Sequence, residues 1–85
     1  MRKITVYTRQ ICGFCTRATR VLEEAGYAFE AIAADGTPAL RAELIKRSGQ
    51  STLPQIFVGE ESVGGYQELA IALSDGRFAQ LLEGD

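Results

Sequence analysis

At 85 residues the chain suits one small domain spanning residues 1–85, and its 46% hydrophobic content is ordinary for a globular core. A formal charge of −2 with both signs scattered leaves no electrostatic footprint for nucleic acid or for an anionic membrane. Arg2 and Lys3 are basic, but Thr5, Thr8 and Arg9 interrupt any signal-peptide core and no segment has the length of a transmembrane helix, so the chain reads as cytoplasmic.

In chain order, residues 3–8 form the first predicted strand, rich in β-branched side chains, with Ile4 and Val6 on one face and Thr5 and Tyr7 on the other. A helix follows, because Ala18, Val21, Leu22 and Ala25 fall at helical spacing and Gly26 supplies a stop. The apolar run 27–33 is a second strand. A helix separates the two, so a parallel βαβ unit with a right-handed crossover is expected.

Asp35-Gly36-Thr37-Pro38 marks a turn, with Thr37 as N-cap and Pro38 at the first helical position. The helix over 38–48 puts Leu40 and Leu44 on one face with Ile45 beside them, and Gly49 ends it. Its charged residues, Arg41 among them, read singly as solvated surface. A polar loop over 50–54 ends in Pro54 and opens into a strand at 55–58, which residues 59–62 link to a short run around Val63. A helix beginning at Gly64-Gly65 takes in Leu69, Ala70 and Leu73, and residues 74–76 separate it from a last piece with Phe78, Leu81 and Leu82. This β-α-β-α-β-β-α order with a short final helix is α/β: a thioredoxin-like fold, with a four-stranded mixed sheet and helices on both faces.

The only cysteines, Cys12 and Cys15, stand two residues apart where the first strand gives way to the first helix. A bridge between them closes too short a loop to restrict the unfolded chain much, so their value lies in reactivity. A helix N-terminus carries partial positive charge and unpaired N–H groups, which favours the thiolate and makes Cys12 the more acidic thiol. Cys15, about one turn later, is placed to attack a mixed disulfide formed at Cys12. Zinc would need two more Cys or His ligands, and the chain has no other cysteine and no histidine. A Cys-His dyad is excluded for the same reason, which leaves the helix terminus and Arg9 or lysine side chains to activate Cys12.

Three motifs, in this order and spacing, resemble the glutaredoxin family across nearly the whole chain. They are Tyr7-Thr8-Arg9-Gln10-Ile11-Cys12-Gly13-Phe14-Cys15, then Thr52-Leu53-Pro54-Gln55-Ile56-Phe57, then Gly64-Gly65-Tyr66-Gln67-Glu68-Leu69. The resemblance implies a glutathione-dependent thiol-disulfide oxidoreductase that reduces protein disulfides and glutathionylated proteins as a monomer, with Cys12 as nucleophile and Cys15 as resolving thiol. Thr52-Leu53-Pro54 matches the family's T-V-P motif, whose proline is cis, and Leu53 would offer backbone groups to an extended peptide-like ligand. Basic side chains hold glutathione's carboxylates in the family, which assigns Arg9 and Arg41 that task, with Phe14 beside them in the site. Gly65, Tyr66 and Gln67 would present helix-start N–H groups to the glutamyl carboxylate.

The family's usual dithiol motif is C-P-Y-C. Gly13-Phe14 departs from it toward the C-G-F-S motif of monothiol relatives, which raises an alternative: a 2Fe–2S cluster held by Cys12 and glutathione in a dimer. Retained Cys15, and the lack of the longer loop that monothiol relatives carry before the site, favour the oxidoreductase. Gln67 stands where the family often has an acidic residue for the glutamyl amine, a task Glu68 could share.

Overall fold

The computed structural model describes residues 2–84. Four strands form one sheet in the order β2-β1-β3-β4. β1 (Ile4–Thr8) lies inside it, parallel to β2 (Glu30–Ala33) with Val6 opposite Ala31, and antiparallel to β3 (Gln55–Val58) with Val6 opposite Ile56. β4 (Glu61–Gly64) closes the other edge against β3, with an irregularity between Ile56 and Phe57. The predicted βαβ unit is present, with α1 (Gly13–Glu24) as its crossover.

Strand alternation then sorts the core into two layers. Ile4, Val6, Ile56 and Val58 face α1, α3 (Tyr66–Asp75) and α4 (Arg77–Glu83), which bury Ala18, Leu22, Leu69, Ala72, Phe78 and Leu82 against them. Phe57, between Ile56 and Val58, points to the opposite face and packs with Ala34 and with Leu44 of α2 (Pro38–Ser48). Tyr7 joins that layer, its ring edge-on to Phe57 at 5.6 Å between centroids. Each fully buried leucine or phenylalanine contributes about 1.5–3 kcal/mol. The arrangement is thioredoxin-like, with helices on both faces as expected.

Several boundaries differ from the sequence pattern. β2 starts at Glu30 rather than at residue 27, because Tyr27 and Phe29 pack against the α1-side core and Tyr27 N–H bonds the Leu22 carbonyl at 3.0 Å, closing the helix end instead of extending the sheet. β1 begins at Ile4, and β4 already includes Glu61 and Ser62. Pro38 opens α2 as expected, but Thr37 makes no side-chain capping bond, so the ring's preset φ starts the helix without one. Ile45 is 43% exposed rather than sharing the buried face, where Leu44 alone is fully enclosed. Gly49 ends α2 at φ 75°, the left-handed conformation that suits glycine.

Candidate active site

The turn from β1 to α1 is held by polar contacts. The Gln10 N–H donates to Asp35 Oδ2 at 3.0 Å, and the Arg9 guanidinium lies 3.5 Å from the carbonyls of Gln10 and Ile11. Ile11 takes φ 49°, the one non-glycine residue with positive φ among the described residues. The chain then re-enters extended backbone at Cys12, the N-cap of α1, with φ −132°.

Cys12 and Cys15 are joined as a disulfide, with Cα atoms 5.2 Å apart. The Cys15 backbone N–H donates to Cys12 Sγ at 3.1 Å, so the sulfur occupies the position that a capping oxygen takes on other helices. That donor, together with the positive end of the helix, favours negative charge on Cys12 once the bridge opens. Both cysteines are buried, Cys12 at 9% exposure and Cys15 at 4%, so Cys12 is the more exposed residue of the pair.

Loop 50–54 leads into the start of β3, where Gln55 pairs with Tyr7, and so lies at the same end of the sheet as the turn from β1 to α1. Gln55, at the start of β3 and 1% exposed, donates from Nε2 to the carbonyls of Gln50 at 2.9 Å and Thr52 at 3.0 Å. These bonds hold the loop over the site. The Leu53-Pro54 peptide is cis, as the family motif implied, and the Leu53 carbonyl oxygen lies 3.9 Å from Cys12 Sγ. Beside it a cleft of about 290 Å³ is lined by Phe14, Thr52, Leu53, Pro54, Tyr66, Gln67 and Glu68. Phe14 and Tyr66 have ring centroids 6.0 Å apart, and Arg17 lies over the Phe14 ring at 5.4 Å.

Six of the nine residues expected at the ligand site thus line one cleft, and three do not. Arg9 lines a second cleft, which opens on Cys12 and Cys15 from the side of β2. Arg41 donates from Nη2 to the Ser51 carbonyl at 2.6 Å and is not among the residues lining the first cleft. Gly65 starts α3, but its N–H is already committed to Glu68 Oε1 at 2.7 Å. Glu68 was legible in advance, since an acidic residue three positions past an N-cap is the capping-box spacing. Ile11, 96% exposed beside Cys12, carried no periodic signal, because periodicity does not extend into turns.

A larger hollow of about 470 Å³ lies away from the cysteines, between β4, α3 and α4. Its arginines are already engaged, Arg2 with Glu61 and Arg77 with Asp75, each at 2.9 Å, so the chemistry points to the smaller clefts at Cys12. Among the described residues no cluster of three or more His, Cys, Asp or Glu could hold a metal, and no helix is long and apolar enough to cross a membrane.

This chain's likeness to known proteins centres on the same segments. The glutaredoxin family profile matches residues 4–63, which include both cysteines and the Leu53-Pro54 loop. A glutaredoxin of Pseudomonas aeruginosa is 42% identical over 82 residues, covering 96% of this chain and 98% of that protein. The solution structure of a glutaredoxin from Brucella melitensis superposes with a TM-score of 0.84 at 42% identity, over 98% of this chain and 90% of that one. A crystal structure of a buckwheat glutaredoxin–glutathione complex gives a TM-score of 0.85 at 26% identity, over 95% of this chain and 76% of that one. With a profile spanning most of its length and a close relative along nearly all of it, this chain belongs to the glutaredoxin family.

Proposed function

We propose that this thiol-disulfide oxidoreductase depends on glutathione, which it accepts in the cleft beside Cys12, and that it acts as a monomer on protein disulfides and glutathionylated proteins in a reducing compartment such as the cytoplasm. The observation that carries this reading is the placement of Cys12 Sγ between the Cys15 N–H at 3.1 Å and the carbonyl, at 3.9 Å, of Leu53, a residue that lines the Phe14–Tyr66 cleft. The N–H stabilises a thiolate, while the loop bearing Leu53 offers backbone groups to a peptide-like ligand.

Starting from the dithiol, Cys12 thiolate attacks one sulfur of a substrate disulfide. A Cys12–substrate bond forms, and the other sulfur leaves and takes a proton. Cys15 then attacks Cys12, the Cys12–Cys15 disulfide forms, and the second substrate thiol is released, so two electrons have passed from protein to substrate. Two glutathione thiols reverse the protein's oxidation in two exchanges and leave as glutathione disulfide. In this reading Phe14 and Tyr66 wall the glutathione, Thr52, Leu53 and Pro54 meet its backbone, and the Tyr66 and Gln67 N–H groups receive the glutamyl carboxylate. Gly65 serves through the turn that Glu68 fastens, Arg41 supplies cationic charge at the Ser51 end, and Arg9 supplies it on the far side of Cys12.

In the alternative, a dimer would hold a 2Fe–2S cluster through Cys12 and a glutathione thiolate from each subunit. The oxidoreductase is favoured over it, because Cys12 is bonded here to Cys15, a residue that the dithiol reaction uses and the cluster does not.

A glutathione-coupled assay on hydroxyethyl disulfide and on a disulfide-bonded protein tests the reading. Cys12→Ser should abolish both activities, whereas Cys15→Ser should retain turnover of the glutathione mixed disulfide and lose the protein disulfide. Turnover that survives Cys12→Ser, or that runs with a flavoprotein reductase and not with glutathione, overturns it.

A further inference from the structure

Two clefts flank the cysteines, and only the one on the β2 side has Cys12 and Cys15 in its lining. The second is lined by Thr8, Arg9, Ile11, Thr16, Thr19 and Ala31 together with the cysteines. Its walls are the N-terminal half of α1 and the edge strand β2, whose outer side has no strand partner in the sheet order. Apart from the cysteines and Arg9, nothing in the glutathione reading uses this cleft.

Ile11 is the feature that asks for an explanation. A β-branched residue at φ 49° is sterically disfavoured, and such strain persists at ligand-contacting positions when it serves one. Its side chain gains nothing from burial in exchange, being 96% exposed, and it directly precedes the nucleophile. Beside it Arg9 forms no ion pair among the described residues. The nearby carboxylates are engaged elsewhere: Asp35 accepts the Gln10 N–H, and Glu30 pairs with Lys3 at 2.6 Å. The cleft therefore presents an apolar knob, a cation and the positive end of α1 to whatever enters.

We infer that the β2-side cleft binds the polypeptide partner: an extended segment flanking the target cysteine, with an apolar residue packed on Ile11 and an acidic residue facing Arg9. The free edge of β2 gives such a segment backbone groups to pair with, as strand addition does. Ile11 is then a specificity-determining residue. This rests on the glutathione-dependent reading and divides its substrate between the two clefts. With a glutathionylated peptide, Cys12 thiolate attacks the glutathione sulfur, the glutathione–peptide bond breaks, and the peptide cysteine departs as a thiolate and takes a proton. A second glutathione thiolate then attacks the glutathione sulfur of the Cys12–glutathione disulfide, the bond to Cys12 breaks, and glutathione disulfide leaves with the Cys12 thiolate restored.

The test compares three glutathione mixed disulfides: hydroxyethanethiol, an octapeptide with Leu and Glu beside its cysteine, and the same octapeptide with Ser and Lys in their places. Wild type should favour the Leu/Glu peptide over the Ser/Lys peptide by about tenfold in kcat/KM. Ile11→Asn and Ala31→Glu should each remove most of that preference while leaving the hydroxyethanethiol substrate within about twofold, and Ile11→Leu should keep it. Because asparagine tolerates positive φ better than isoleucine, Ile11→Asn should also raise the Tm, by about 2–6 °C. A merely structural Ile11 would instead lower the Tm and slow all three substrates together. Turnover of hydroxyethanethiol with no peptide preference, or a preference untouched by both variants, overturns the inference and spares the proposed function. Absence of glutathione-coupled turnover with every substrate overturns both.

Discussion

The backbone N–H of Cys15 donates to the sulfur of Cys12 at 3.1 Å, a contact that favours negative charge on that sulfur through an atom that mutation of the Cys15 side chain leaves in place. Cys15→Ser should accordingly keep Cys12 reactive. Iodoacetamide should alkylate Cys12 in that variant at about pH 6 faster than it alkylates a free cysteine, whose thiol titrates near about 8.5. An alkylation rate that tracks free cysteine across the pH range would show that the helix start contributes nothing.

Gln55 ties the loop that carries Leu53 to the start of β3, and only its Nε2 is bonded; Oε1 has no partner among the described residues. Gln55→Leu loses two bonds but also one unpaired atom, for a net loss of about 1 kcal/mol. Gln55→Glu sets a carboxylate against the two carbonyl oxygens and should be worse, by about 2–3 kcal/mol. Urea unfolding ranks the two. Both variants should raise the KM for glutathione more than they lower kcat, since they loosen the loop and leave Cys12 untouched.

The bond from the Gly65 N–H to Glu68 Oε1 fastens the entry to α3, and Gly64, at φ 114°, leaves the Glu68 side chain no room for a neighbouring Cβ. Removing this cap with Glu68→Ala should destabilise the protein by about 1 kcal/mol and lower its Tm by about 4–8 °C. Faster amide exchange confined to the first turn of α3 would locate the loss there.

Asp75 receives the Arg77 backbone N–H at 3.0 Å and its Nε at 2.9 Å, and these bonds, the backbone one foremost, hold its carboxyl below the ordinary 3.8. A folded value depressed in this way stabilises above the unfolded value and is lost as pH falls through the folded one. Stability should therefore decline as pH falls below about 4, with Asp75 supplying a small part because it is fully exposed. Asp75→Asn should make that acid limb slightly shallower in a pH series of thermal melts; an unchanged limb would assign the decline to other carboxylates.

The element order was legible because each segment carries its own period: alternation in Ile4 to Tyr7, helical spacing through Ala18 and Leu22, and glycines where chains must turn. The thiol pair was legible from inventory, and missing histidine and further cysteines removed competing chemistries. Less legible were the edges. Tyr27 and Phe29 look like strand by composition, yet they pack on the α1-side core, and composition does not say which partner an aromatic ring will find. The ligand set was read as one group, whereas Arg9 and Phe14, five residues apart, line different clefts because Cys12 caps the helix between them.

By itself, then, the sequence determined the order of strands and helices, the reactive pair and the family, since these depend on local spacing and on which side chains exist. Only the tertiary structure decided what surrounds the pair. It set the Leu53 carbonyl, 41 positions along the chain, at 3.9 Å from Cys12, spent the Gly65 N–H on Glu68, and left Ile11 exposed beside a second cleft. Those outcomes follow from how distant loops close over the sheet and which donors they reach first, and no periodicity records either.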